Sequence, residues 1–502
     1  MGELLSHLQL GLSVAGSPVN LFYCLVGALA GTLIGVLPGL GPVTTVAMLL
    51  PITYYLDPTS ALIMLAGIYY GAQYGGSTTA ILVNMPGENS SVVTAIDGYQ
   101  MARKGRAGAA LAVAALASLF AGCVATFGLA GAAPIMAKLV LVFGAPEYFA
   151  LMVLGLVASI AMANGDPLKA IAMIALGILL SLVGTDPSSG LLRMTMGIPE
   201  LVDGVDFVPL AIGLFAVPEI LANLRAPQEH GVLQSKLKDL WPNRKEASRA
   251  WPAAVRGTII GSVLGILPGG GATLASFISY TTEKKLSRYP KEFGQGAVEG
   301  VAGPEAANNA GAQTSFIPLL TLGIPGNALM ALLAGAMTLH GIQPGPLVMT
   351  SNPDLFWGLI ASMWIGNLML VVINLPLIGI WVSMLKIPYR LFGPALLVFC
   401  CIGAFSVNNS GFDVLMMMAF SLLGYAMMKW KFEAAPLVLA FVLGPMMEDN
   451  LRRTLLLAHG DASVLVTRPI SAGILLVAVA VLVLLALPAI RRGRKAAFVE
   501  ET

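Results

Sequence analysis

The chain has 502 residues, of which 57% are hydrophobic and 11% charged, against roughly 25% charged residues in an ordinary soluble domain, and its mean hydropathy is +0.83. That composition excludes a water-soluble globule, and the 56 glycines and 31 prolines point to membrane helices that approach one another closely and break. A net charge of +2 offers no basic surface for a nucleic acid, and Cys24, Cys123, Cys400 and Cys401 lie in apolar runs without metal-ligand spacing, so they read as buried apolar side chains.

Residues 1–16 hold apolar positions at helical spacing and are expected to form an interfacial helix. No Lys or Arg precedes Arg103, so the basic n-region of a cleaved secretory signal is not expected. Runs long enough to cross a bilayer, which takes about 17 to 25 residues, fall at 20–37, 107–132, 146–163, 167–184, 206–224, 356–375, 411–428 and 470–490. Shorter apolar pieces beside Pro-Gly breaks lie at 40–56, 59–72, 77–86, 253–267, 271–282, 311–323, 327–339, 393–408 and 434–447. Residues 225–256 and 283–309 are polar stretches. Little other extramembrane mass is expected, no soluble domain is expected to house an ATPase, and its phosphate loop, GxxxxGK[ST], is missing.

The sequence resembles itself. GTLIGVLPGLGP from Gly31 is answered by GSVLGILPGGGA from Gly261, GAQYGGSTTAILVNMPGENS from Gly71 by GAQTSFIPLLTLGIPGNALM from Gly311, and DGYQ at Asp97 by HGIQ at His340, at offsets of 230, 240 and 243. Loop charge gives the relative orientation under the positive-inside rule. Residues 1–19 and 51–60 carry no Lys or Arg, whereas their counterparts 225–256 and 281–292 carry seven and four. Beyond the second break the signs exchange: Arg103, Lys104 and Arg106 face a second copy, 341–355, with none. The expected fold is therefore an all-α polytopic membrane protein of two inverted-topology repeats, with broken helices or re-entrant hairpins at the Pro-Gly motifs and about a dozen crossings. The expected division is 1–224 for the first repeat, 225–252 for a basic cytoplasmic connector, 253–460 for the second repeat, and 461–502 for a last helix and basic tail. The amino terminus lies outside, and RRGRK at Arg491 to Lys495 lies inside.

Helix cannot continue through LPGLGP, because Pro38 lacks a donor and Gly39 and Gly41 admit positive φ. Non-helical backbone at membrane depth survives only where it is buried in protein or lines a wet cavity. Half-helix ends expose N–H groups that suit an anion and carbonyls that suit a cation. The expected substrate-binding residues are Thr44, Thr45, Ser77, Asn84, Gly87, Asn89, Ser90, Thr273, Asn308, Asn309, Gly326 and Asn327, with backbone carbonyls of Gly39, Gly41, Gly269 and Gly271 for Na⁺. Thr78, Thr79, Ser91, Ser276, Gln313, Thr314 and Ser315 stand beside the same breaks, and neutral hydroxyls and amides bind ions without a permanent buried charge. Glu88, Asp97, Glu299 and Glu305 sit in polar segments, where a cation-ligand or proton-carrying role and a solvated or gate-lining role are both open. His340 is expected to make a structural hydrogen bond.

These strings, together with DGYQMARKGRAGAAL, SFISYTTEKK and GPEAANNAGAQTSFIPLLTLGIPG, resemble the large membrane subunit of the tripartite tricarboxylate transporters, the TctA family, over essentially the whole length. The resemblance implies a permease working with a small membrane subunit of about four helices and a periplasmic solute-binding protein. It further implies a bacterial inner membrane, di- or tricarboxylate substrates such as citrate, and an ion gradient of Na⁺ or H⁺ as driving force. No resident cofactor is expected. A passive anion channel would also use broken helices, while a membrane-embedded enzyme would need a nucleophile and base or a metal set. HExxH is missing, and only His7, His230, His340 and His459 are present.

Overall fold

A computed structural model describes residues 2–37, 39–140, 142–163, 166–186, 188–225, 241–267, 271–345, 347–385 and 389–486. The first half contains α1 (Gly2–Ala15), α2 (Pro18–Gly35), α3 (Pro42–Thr53), α4 (Pro58–Val83), α5 (Val92–Met101), α6 (Ala107–Val140), α7 (Ala145–Met162), α8 (Pro167–Ser181), α9 (Phe207–Ala211) and α10 (Val217–Arg225). Starts follow local chemistry: Ser17 accepts from the Asn20 N–H ahead of Pro18, and Asp57 accepts from the Thr59 N–H ahead of Pro58. The α4 helix was expected as two pieces, 59–72 and 77–86. It is instead one helix of 26 residues running through Gly75 and Gly76 and ending at Asn84, whose φ is 58°.

A short 3₁₀ turn at Asn89–Ser91 leads into α5, and a π turn at Ala102–Arg106 joins α5 to α6. A two-stranded antiparallel ribbon pairs Gly184–Thr185 with Leu192–Arg193.

The second half contains α11 (Arg244–Ile266), α12 (Gly271–Leu286), α13 (Glu299–Thr314), α14 (Phe316–Leu322), α15 (Ala328–Leu339), α16 (Val348–Ser351), α17 (Pro353–Asn374), α18 (Ile378–Met384), α19 (Tyr389–Asn408), α20 (Gly411–Lys429), α21 (Ala434–Leu457), α22 (Val464–Thr467) and α23 (Pro469–Ala486). Of the connector, 226–240 lie outside the described residues, and Arg244 to Pro252 are already the first turns of α11. Pro38, Gly269 and the RRGRK tail also lie outside them.

Among the described residues six helices are long and apolar enough to cross a membrane: Pro18–Gly35, the continuous Asn89–Ala132, Phe207–Leu224, Pro353–Asn374, Leu391–Asn408 and Gly411–Lys429. The runs at 146–163, 167–184 and 470–490 fall on shorter apolar helices, Ala145–Ala161, Pro167–Ser181 and Pro469–Leu485. The α1 helix lies against α17, where His7 stacks on Trp357 with ring centroids 4.9 Å apart.

The polar stretch at 283–309 divides. Residues up to Leu286 complete α12, and from Glu299 onward the chain is α13, a helix whose every residue is buried. Small side chains make this geometry available: eight of its sixteen residues are Ala or Gly, so α11, α6 and α12 close on it from different sides.

Two helix pairs form the centre. Gly27, Gly31 and Gly35 make one stripe of α2, and a Cβ at Gly31 would stand 2.2 Å from the Ile68 carbonyl oxygen of α4. Gly257, Gly261 and Gly265 make the corresponding stripe of α11, and a Cβ at Gly261 would stand 2.2 Å from the Ala307 carbonyl oxygen of α13. The partners of each stripe are Met64, Ile68 and Ala72 in one pair and Gly303, Ala307 and Gly311 in the other. Backbone meets backbone in both, which no larger residue permits. The elements after the pairs cross over: the Asn89–Ser91 turn packs on α12, and α15 packs on α3.

Candidate functional site

The first break builds a polar corner. Gly39 has φ 81°, its carbonyl accepts from Asn223 Nδ2 at 2.6 Å, and the Gly41 carbonyl accepts from the Thr45 N–H at 3.0 Å and from Thr45 Oγ1 at 2.9 Å. Thr44 Oγ1 donates to the carboxylate of Glu219 on α10, to which the Gly41 N–H also donates. Gly87, in the second break, lies on Gly76 of α4, so that a Cβ there would meet the Gly76 Cα at 2.5 Å. A Cβ on Gly41 would lie 3.7 Å from the Gly87 carbonyl and 4.0 Å from Glu219 Oε1. The two breaks of the first half therefore meet, with the N-terminus of α3 at their junction.

Deeper between the halves lies a cluster around two carboxylates. Glu305, 1% exposed, has Ser77 Oγ at 2.9 Å from both of its oxygens, receives Thr94 Oγ1 at 2.5 Å, and has Ser118 Oγ at 3.4 Å. Asn309 Nδ2 donates to Ser118 Oγ at 2.7 Å and to the Glu305 carbonyl at 3.1 Å. Half-buried Glu88 receives Ser90 Oγ, and Asn308 Nδ2 at 3.0 Å, while Gln73 Nε2 donates to Asn308 Oδ1 at 3.2 Å. An open recess with about 310 Å³ of empty space is lined by Tyr74, Ser77, Ser118, Glu305 and Asn374 among others. No Lys or Arg bonds to Glu88 or Glu305 among the described residues. Two arginines of α11 are engaged elsewhere: Arg249 with Glu299 at 2.8 Å and Glu292 at 2.6 Å, and Arg256 with Glu283 at 2.5 Å.

The structure thus gathers Ser77, Ser90, Asn308 and Asn309 into one cluster, and Thr44, Thr45, Gly39, Gly41 and Gly87 into the adjoining corner. Asn84 and Asn89 are exposed, Thr273 is half-buried on α12, Gly271 (φ 47°) opens α12, Gly326 is buried, and Asn327 caps α15 through the Met330 N–H at 2.9 Å. None of these bonds to the carboxylate cluster among the described residues. Thr78, Thr79, Thr314 and Ser315 bond carbonyls one turn back along their own helices. Ser91 Oγ donates to the Glu88 carbonyl at 2.9 Å, and Ser276 Oγ to those of Ala272 and Pro304.

Asp97, fully buried, holds the loop before α13: one oxygen receives the N–H groups of Gly294, Gly296 and Ala297 at 2.9, 2.7 and 2.8 Å, and the other receives Tyr280 Oη at 2.9 Å. Glu299 is the ion partner of Arg249. Neither is solvated. His340 hydrogen-bonds the backbone at Thr53 and faces Asp57.

Gln73, Thr94, Ser118, Glu219 and Asn223 belong to these sites and were missed by the sequence reading. For Glu219 a signal existed, since an ionisable residue inside an apolar run is a functional pointer in its own right. For Gln73 it was the shared GAQ string. Thr94 and Ser118 carry none. Among the described residues no three His, Cys, Asp or Glu side chains converge as a metal site.

Broken helices meeting at a polar junction inside a bundle of apolar helices define a polytopic α-helical membrane protein. The chain belongs to the tripartite tricarboxylate transporter TctA family, whose match spans residues 21–439. It is 58% identical over 501 residues to a 52.8 kDa protein from the TAR-I ttuC′ 3′ region of Agrobacterium vitis, covering 100% of both chains. It is also 58% identical over 241 residues to a protein from the TAR-II ttuC′ 3′ region of the same organism, covering 48% of this chain and 100% of that one. No solved structure matches the chain.

Proposed function

We propose that the chain is the permease subunit of a binding-protein-dependent secondary transporter that imports di- or tricarboxylates of the citrate type, driven by a cation gradient, in the first instance Na⁺. Its two halves are inverted repeats in the inner membrane, with the amino terminus periplasmic and the carboxy terminus cytoplasmic. It works with a small membrane subunit of about four helices and with a periplasmic solute-binding protein that delivers the substrate.

The observation that carries this reading is the pair of glycine stripes, Gly27/Gly31/Gly35 and Gly257/Gly261/Gly265, each laid on backbone carbonyls of the next long helix and each leading into a break. A passive pore does not require such duplication, whereas alternating access uses it to move one unit against another. Substrate carboxylates meet the N-terminal N–H groups of α3 with Thr44 and Thr45. Gly87, Ser90, Asn84 and Asn89 face them from the second break, and Thr273, Gly326 and Asn327 contribute from the other half. Backbone N–H groups and hydroxyls replace the usual arginine grip on a carboxylate.

The test is uptake of radiolabelled citrate by proteoliposomes holding this chain, the small subunit and the cognate binding protein. Uptake that requires both the binding protein and an inward Na⁺ gradient is expected. Uptake that persists with no gradient of Na⁺ or H⁺ overturns secondary transport in favour of a passive path.

A further inference from the structure

The carboxylate of Glu305 is buried between the two helix pairs with hydroxyl donors around it and no Lys or Arg beside it among the described residues. An ionised carboxylate inside a membrane protein is costly, and such groups are found paired or lining an ion path. Hydroxyl donors offset part of that cost, but they bring no opposite charge. A second observation is independent of the acid. Asn309 Oδ1 and Gln73 Oε1 are buried with no hydrogen-bond partner, although the nitrogen of each amide is engaged within the same cluster. Buried acceptors are ordinarily satisfied, so two unpaired amide oxygens beside two carboxylates leave acceptor capacity that no donor or cation among the described residues takes up.

We propose that Glu305, Ser77, Thr94, Ser118 and Asn309 form the binding site for a monovalent cation, Na⁺, with Glu88, Asn308 and Gln73 as its outer wall. The five donor groups come from α13, α4, α5 and α6, and all are oxygens, the donors a hard cation takes. A single proton on Glu305 would neutralise the acid but would leave Asn309 Oδ1 unpaired. A cation meets several oxygens at once. The hydroxyls can turn their lone pairs inward: Ser77 has the Gln73 carbonyl at 3.1 Å as an alternative acceptor for its proton. Glu88 adds a second negative charge beside the site, and a higher ligand charge raises affinity in oxygen-built cation sites. The glycine carbonyls of the first break are poorer sites, because Gly39 and Gly41 already accept hydrogen bonds from Asn223 and Thr45.

Binding is independent of transport, whereas the role of the site as the coupling site rests on the function proposed above. The experiment is therefore equilibrium binding of radioactive sodium to the detergent-purified full chain, run beside the proteoliposome assay. Saturable binding is expected for the wild type, weakened by at least about tenfold in Glu305→Gln and by several-fold or more in Thr94→Val and Ser118→Ala, on the scale seen when a metal site loses a ligand or its support. The two hydroxyl variants carry the test if Glu305→Gln fails to elute as a monodisperse protein. Wild-type protein that binds no sodium, or variants that bind it as the wild type does, overturns the assignment while leaving carboxylate transport standing. Wild-type sodium binding without any gradient-driven citrate uptake removes the proposed transport and keeps the site.

Discussion

Replacing Gly31 by Ala adds a single methyl group at the place where α2 touches α4. Its Cβ would stand 2.2 Å from the Ile68 carbonyl oxygen and 2.8 Å from both the Ile68 carbonyl carbon and Cα, whereas ordinary contact begins at 3.4 Å. The obstructing atoms are backbone, so no rotamer change clears them, and the helices must separate by about 1 Å, an overpacking strain of the kind that costs about 1–3 kcal/mol. Ala gains up to about 1 kcal/mol over Gly in helix propensity, so the net loss is expected in the lower part of that range. Gly261→Ala meets the same geometry on the Ala307 carbonyl and is expected to lose as much. Gly473→Ala on α23, with nothing within 4 Å of its Cβ, is the control and is expected to be neutral or slightly stabilising. Melting followed by size-exclusion fluorescence in detergent reads all three. Gly31→Ala melting with the wild type and the control would refute the close-contact reading of both helix pairs.

Asp97→Ala strands the N–H groups of Gly294, Gly296 and Ala297, and an unsatisfied buried donor costs about 1–3 kcal/mol; limited proteolysis should then cut within 287–297 faster than in the wild type. Hydrogen bonds from Arg452 at 2.7 Å and from the N–H groups of Ser188 and Ser189 hold the Asp186 carboxyl well below the usual carboxylate range. The stabilisation is therefore complete above the unfolded pKa of about 3.9 and disappears as pH falls through the lower folded value, so Asp186→Asn should lower the melting temperature at neutral pH and the gap should close on acidification below that pH. For the inverted topology, single cysteines replacing Lys285 and Ser351 in a chain stripped of its four native cysteines report the two faces. A membrane-impermeant maleimide added to spheroplasts should label the Ser351→Cys protein directly and the Lys285→Cys protein only after permeabilisation, and the same access at both positions contradicts inversion.

Much of the helical frame was legible because it rests on local chemistry. Ser17-Pro18, Asp57-Pro58 and Asp166-Pro167 each start a helix with a side-chain cap, and the apolar runs at 20–37, 206–224, 356–375 and 411–428 coincide with long helices. Gly75 and Gly76 misled because a glycine that frees the backbone and a glycine that admits a neighbour are the same residue in sequence. In α4 they admit neighbours: a Cβ on Gly75 would meet the Val36 N at 2.7 Å. Polarity misled in 299–309, since burial of a polar helix depends on partners arriving from elsewhere in the chain. Arg249 finds Glu299, and Ser77, Thr94 and Ser118 find Glu305, none of which local periodicity can reveal. Of the site, the residues beside the breaks were legible from repetition, and those on α5 and α6 were not, because single hydroxyls in apolar helices carry no pattern.

Repetition of the scaffold does not extend to the site it holds. Ile68 and Ala307 occupy matching contacts 239 positions apart, one short of the 240 that separates the two GAQ strings. On that contact register the counterparts of Glu305, Asn308 and Asn309 are Ala66, Tyr69 and Tyr70. The tyrosines are buried and lie beside Phe316, with ring centroids 6.4 and 6.2 Å from it, so the corresponding place in the first half is filled by aromatic rings. Glycine stripes are needed twice because each helix pair must close on a backbone. An uncompensated carboxylate is costly wherever it is buried, and a second copy would double that cost and divide the charge between two places. The Glu305 cluster thus draws on both halves, with Gln73, Ser77 and Thr94 supplied by the first and Glu305, Asn308 and Asn309 by the second. In the transport mechanism proposed above, a motion of one half against the other would open or close the set of oxygens between them.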